Sequence, residues 1–204
     1  MAVTYTNRKG TTYVLCRTTT APGRVRYHFA RQPKGEPVEA LPAGYTVRES
    51  VNGVVSLVRD RPAACSTEEL RVVEAAIRRH PKASLYRVAA RGGRITVYER
   101  LGPAADELAA VLFEVGLPVT DVRARIEEHL ERAASYEPVL HFHLVDAAGR
   151  HFGVERRSYS GSSAGPGNSG SGDNWLVLGL SGSLDALARR VVPLLGTDAF
   201  FELW

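Results

Sequence analysis

His141-Phe142-His143 is the stretch of this 204-residue chain that comes nearest to a catalytic or metal-binding pattern. On a β-strand, residues two apart share a face, so the two imidazoles project together. If the turn Asp146-Ala147-Ala148-Gly149 closes a tight hairpin, His151 and Glu155 on the returning strand join that face. Three nitrogens and a carboxylate would then suit zinc or acid–base work. Plain amphipathicity is the opposing reading. Leu140, Phe142 and Leu144 alternate with the histidines and match Phe152 and Val154 across the turn, so His141 and His143 fall on the side that such a sheet turns to solvent. A one-residue register change also sends His151 to the other face. Solvated or locally hydrogen-bonded histidines are therefore expected, with no metal and no cofactor.

Other strings that could carry chemistry reduce to composition. Gly161-Ser162-Ser163-Ala164-Gly165 has the G-x-S-x-G form of a nucleophile elbow, but such an elbow needs a strand before the serine and a helix after it. Here more Gly and Ser follow, and residues 160–172 read as a flexible insertion. No Gly-Lys-Ser/Thr follows a glycine loop, which removes a phosphate-cradling loop. Cys16 and Cys65 stand in no close-spaced metal pattern and read as thiols in a reducing compartment. A catalytic function is thus not the first expectation, and His141/His143 is the centre an enzyme would use.

Charge gives a different direction. Residues 1–100 carry 18 Lys/Arg against 8 Asp/Glu, whereas residues 101–204 carry 8 against 14. A basic half attracts anionic partners, nucleic acid or an acidic protein surface. In Arg24-Val25-Arg26-Tyr27-His28-Phe29, alternation puts Val25, Tyr27 and Phe29 on one face and Arg24, Arg26 and His28 on the other. With Arg8 and Lys9 on a nearby turn, these five residues form the candidate anion-binding patch. Tyr5, Tyr13, Tyr27 and Tyr45 would supply rings for stacking bases. The competing reading makes the tyrosines core and the arginines a solvated face. Arg78, Arg79, His80 and Lys82 end a helix, where cations complement its dipole.

The elements that must position these residues are legible in outline. Asn7-Arg8-Lys9-Gly10 is a hairpin turn between Val3–Tyr5 and Thr12–Leu15, and further strands are expected at Tyr45–Glu49 and Val54–Arg59 around Asn52-Gly53. Ser66 and Glu69 form a capping box ahead of the Leu70, Val73, Ile77 stripe, and Pro81 ends that helix. A hairpin, Leu85–Ala90 with Arg94–Arg100, then precedes helices over 103–116 and 121–134. The second hairpin, Val139–Val145 with Arg150–Arg157, leads to a strand at Trp175–Leu180 and a helix at Leu184–Leu195 that Pro193 bends or ends. Gly93–Arg100 aligns with Gly149–Arg156 at four identities, which raises the idea of a duplicated helix–hairpin–helix unit. The aromatic end, Phe200-Phe201-Glu202-Leu203-Trp204, should dock on its own core or on a second subunit.

The opening Tyr5–Leu15 and the closing Leu195–Leu203, with Pro138–Phe142 and Asp173–Trp175 between them, resemble a family of uncharacterised bacterial proteins. That resemblance implies no activity, cofactor or catalytic residue.

The expected fold is α+β: a basic antiparallel β-module at 1–62, then amphipathic helices and β-hairpins over 63–204. The chain has no signal-like segment and no apolar run long enough to cross a bilayer, so the cytoplasm is expected. The expected function is a non-catalytic interaction protein with an anionic partner. The alternatives are an enzyme centred on His141/His143 and a homo-oligomeric structural subunit joined through the aromatic C-terminus.

Overall fold

A computed structural model describes residues 1–21, 23–102, 108, 110, 122–158 and 175–203. The fold is α+β, with three antiparallel sheets and few helices, and the chain divides into two compact units. Residues 1–62 and 101–135 form one; residues 63–100 and 136–204 form the other. Apart from Leu108 and Ala110, both helical, the expected helix over 103–116 lies outside the described residues, as do the Ser/Gly segment and its G-x-S-x-G string.

In the first unit, β2 (Thr12–Thr19) is the centre of a sheet, pairing with β1 (Thr4–Thr6), β3 (Val25–Ala30) and the short β4 (Glu36–Pro37). The β1–β2 turn forms because Asn7 Oδ1 accepts the backbone N–H groups of Lys9 and Thr11, and Gly10 adopts a φ of 76° that few other residues tolerate. Asn7 is buried, and its Nδ2 donates to the Gly53 carbonyl at 2.6 Å. That bond ties the turn to a second hairpin, β5 (Tyr45–Glu49) and β6 (Val55–Arg59). Helix α2 (Val122–Ala133) belongs to the same unit.

In the second unit, helix α1 (Thr67–Arg78) begins at the expected capping box, with Ser66 Oγ accepting from the Glu69 N–H and Glu69 returning the bond. Strands β7 (Tyr86–Arg91), β8 (Arg94–Leu101), β9 (Ser135–Asp146), β10 (His151–Arg157) and β11 (Trp175–Gly182) form a sheet in the order β11-β10-β9-β8-β7. Helix α3 (Leu184–Val191) passes into a 3₁₀ turn containing Pro193, which cannot donate the next helical bond, and a short helix α4 (Asp198–Phe201) follows. Val73 and Ile77 of α1 and Leu187 and Val191 of α3 share one core with Ile95, Val97, Phe142 and Val154 of the sheet. Each large side chain buried there contributes about 1.5–3 kcal/mol relative to exposure.

The two aligned hairpins lie in this one sheet but do not present equivalent faces. Ile95 and Val97 of β8 enter the core, whereas β10 contributes Phe152 and Val154, which align with Thr96 and Tyr98. A duplicated helix–hairpin–helix unit is not shown.

Candidate functional site

The histidine strand is built as its alternation requires. Phe142 is fully buried on the core side of β9, and His141 and His143 project from the opposite side, which is not the open solvent face expected: His141 is buried and His143 half-buried. Strand pairing sets Glu155 directly across from His141 and Gly153 across from His143. Glu155 therefore lies between the imidazoles: its Oε2 is 3.6 Å from His141 Nδ1 and its Oε1 is 3.8 Å from His143 Nδ1. Both separations exceed hydrogen-bond range. Each imidazole addresses a different carboxylate oxygen, which spreads the donors around Glu155 instead of converging them on one point. Two neighbours shape the cluster. Gly153 leaves room for the His143 ring, since a Cβ there would sit 2.6 Å from ring atoms. The Trp175 indole stacks on His141 with centroids 3.5 Å apart and planes 18° apart.

His151 does not join them. The β9–β10 register shifts between His151 and Phe152, so His151 stands across from Asp146 at the turn, 3.9 Å from its carboxylate and more than half exposed. Among the described residues, no group of three or more His, Cys, Asp or Glu side chains is arranged to hold a metal ion. Trp175 and Gly153 are the members of this cluster that sequence reasoning missed. Glycine across from a histidine was the available signal for one, but the stacking on Trp175 depends on a strand that pairs from 20 residues further along the chain.

The cationic residues of the first unit separate into two groups. Arg8 and Lys9 sit at the end of β2 that begins at Thr12, whereas Arg26 pairs with Thr18 near the other end. Six residues of strand put them about 20 Å apart, so they do not form one patch with Arg24. Arg8 serves α2 instead: its Nη1 donates to Glu131 O at 2.7 Å and its Nη2 to Ala134 O at 2.8 Å, while Lys9 Nζ reaches Ala133 O at 3.5 Å. Carbonyls at a helix C-terminus lack intrahelical donors and carry negative partial charge, so cations are drawn there. Arg24 and Arg26 are exposed, His28 is half-buried, and neither arginine forms an ion pair among the described residues. Arg17, on the neighbouring strand, is paired with Glu36 at 2.6 Å, and that carboxylate raises the guanidinium pKa.

The tyrosines are committed elsewhere. Tyr5 donates to Glu49 at 3.0 Å, and this bond, with burial and the carboxylate charge, pushes its hydroxyl pKa up. Tyr27 packs against Tyr45 at 6.5 Å. In the second unit, His80 is buried; its Nδ1 accepts the Lys82 N–H, so Nε2 carries the proton donated to Leu195 O. At the aromatic end, Phe200 is in the core of its own unit and Phe201 is 43% exposed, with buried Arg156 donating to Phe201 O at 2.7 Å.

No helix among the described residues is long and apolar enough to cross a membrane. No protein-family model, curated protein or solved structure matches the chain.

Proposed function

We propose that this is a cytoplasmic, non-catalytic binding protein whose cationic strand face, Arg24, Arg26 and His28, takes an anionic macromolecule. One observation carries the reading. Arg24 and Arg26 stand exposed and without an ion pair among the described residues, while nearby Arg17 is paired with Glu36 and Arg8 with helix carbonyls. Unpaired arginines keep their full donor capacity for phosphate or carboxylate. Fluorescence anisotropy with labelled polyanions at low salt tests the proposal: wild-type protein should bind, and the double variant Arg24→Gln/Arg26→Gln should bind several-fold more weakly at an unchanged melting temperature. Equal binding by both proteins would place the surface elsewhere.

A second reading, a proton-transfer centre at His141 and His143, is favoured by the position of Glu155 between their Nδ1 atoms. A hydrolase substrate screen in which His143→Asn abolishes an activity of the wild type would establish it.

A further inference from the structure

We propose that the anion taken by this strand face is the phosphodiester backbone of a nucleic acid, gripped through its phosphates without stacking on its bases. This rests on the reading of Arg24, Arg26 and His28 as a binding surface and names its partner class.

Strand register decides the face. Arg26 lies across from Thr18 and His28 across from Cys16, while Thr4 lies across from Val14 and Thr6 across from Thr12. Residues paired in this way project to the same side, so Arg24, Arg26 and Thr18 share it, as does the row Thr4, Thr6 and Thr12 at the other end of β2, about 20 Å away with buried Cys16 between. The Thr6 and Thr12 hydroxyls meet at 2.9 Å, as a shared side requires. Tyr5 lies across from Tyr13, and Tyr27 across from Arg17, which assigns all three rings to the opposite side. Binding of single strands by stacking needs rings beside the cations. Here the rings face away from Arg24 and Arg26, toward the side on which Arg17 lies across from Tyr27 and Arg31 stands over Tyr13.

An acidic protein partner is disfavoured by what else the face presents. Protein interfaces draw most of their energy from buried aromatic or aliphatic anchors. The exposed residues of this side are Arg24, Arg26, Thr4, Thr6, Thr12 and Pro37, which lies across from Cys16, so one proline and no aromatic or large aliphatic side chain is exposed among them; Val25, which is 51% exposed, projects from the other side. Guanidinium forks and neutral hydroxyls are the usual donors to phosphate oxygens, and interfaces with nucleic acid are polar and basic. Arg24 and Arg26, two residues apart, have Cα atoms about 7 Å apart in extended backbone. Contacts to phosphate oxygens carry no sequence information, so recognition through them is independent of sequence.

The test is anisotropy of the full chain with a labelled 20-base-pair duplex, one of its single strands, and a labelled poly-glutamate peptide, each titrated from 50 to 200 mM salt. The duplex should bind irrespective of sequence. The slope of log K against log salt should become shallower by about 0.9 for each arginine removed in Arg24→Gln and Arg26→Gln. Over this fourfold range the two contacts together account for about a 12-fold change in affinity, which the double variant should lose. Both side chains are exposed, and equal thermal melts establish that the variants fold. Preference for the single strand, or for poly-glutamate over the duplex, would overturn the phosphate-backbone inference while leaving an anion-binding surface standing. Binding whose salt slope is the same in wild type and double variant would also overturn it. Failure of every polyanion to bind at 50 mM salt would remove both.

Discussion

Glu69 does two jobs at once, so its removal should cost more than the loss of a surface carboxylate. Its carboxylate caps α1 by accepting the Ser66 N–H at 2.7 Å, and it also receives a two-pronged grip from Arg150, whose Nε donates to Oε1 at 2.8 Å and whose Nη2 donates to Oε2. Arg150 is held at the β9–β10 turn with φ 51°, the one positive value among the described non-glycine residues, and its Nη2 also donates to Ala64 O. The Glu69 side chain is only 16% exposed, so its bonds are shielded from competing water. Losing the return bond of the capping box costs about 1 kcal/mol and losing the charge-assisted bonds from Arg150 about 1.5 kcal/mol, giving roughly 2–3 kcal/mol for Glu69→Ala. At about 2–4 °C per kcal/mol for a chain of this size, the melting temperature should fall by roughly 5–10 °C. Glu69→Gln keeps an acceptor for Ser66 but loses the charge, and should fall by about half as much.

A pH series separates the charge from the cap. Burial raises the Glu69 pKa, but the hydrogen bonds from Arg150 and Ser66 outweigh it and hold the group below its ordinary value of 4.5. A carboxyl whose pKa is depressed on folding binds protons more readily when unfolded. Its contribution is therefore complete above the unfolded pKa and is lost as pH falls through the folded one. The difference in melting temperature between wild type and Glu69→Gln, measured by circular dichroism, should be constant from pH 7 to about 5.5 and shrink in more acidic buffer. A shift below 2 °C for Glu69→Ala at pH 7, or a Gln difference unchanged down to pH 3, would refute the argument.

Three further outcomes test the packing around the other residues of interest. Gly153→Ala should turn the His143 ring aside and move its imidazole resonances, with a change of less than about 1 kcal/mol in chemical denaturation, because its Cβ would stand 2.6 Å from the outer atoms of a ring that can rotate. Arg156→Ala leaves the carbonyls of Phe201 and Leu203 without the donor that holds them, so limited proteolysis should begin cutting within residues 198–203 at protease levels that spare the wild type. Arg8→Ala should cost about 1–2 kcal/mol and speed amide exchange in the last turn of α2, whose carbonyls at Glu131 and Ala134 it serves, without weakening the binding of polyanions.

What the residue order made readable was whatever depends on neighbours within one turn or one strand. Ser66 and Glu69 fix the start of α1 locally, Pro193 ends α3 locally, and alternation alone put Phe142 and His141 on opposite faces of β9, although it did not foretell that His141 is buried as well. Two of the missed features depend on pairing across long separations. Arg8 finds acceptors more than 120 residues away, and Arg150 finds Glu69 81 residues away. A basic residue on a turn carries no mark of which carbonyls it will meet. The absence of His151 from the histidine cluster follows from a register shift that no local pattern announces. Strand β4 is two residues long, too short for any alternation, and exists because β2 offers it an edge beside Cys16 and Arg17.

The division of charge along the chain takes a different meaning once residues are grouped by unit. Residues 1–62 hold ten basic and four acidic residues and share a unit with residues 101–135, which hold three and seven. Residues 63–100 hold eight and four and share a unit with residues 136–204, which hold five and seven. Each unit therefore carries a net charge of +2, and the contrast between the two halves of the sequence is not a contrast between two bodies. A net charge that small gives little long-range attraction beyond a Debye length of about 8 Å at physiological salt. Affinity for an anion must then come from particular cations left exposed and uncompensated. Within the first unit Arg17 and Arg8 are already engaged, whereas Arg24 and Arg26, like Lys34, Arg48, Arg59 and Arg61, are exposed with no ion pair among the described residues, so Arg24 and Arg26 are among the residues on which binding should turn.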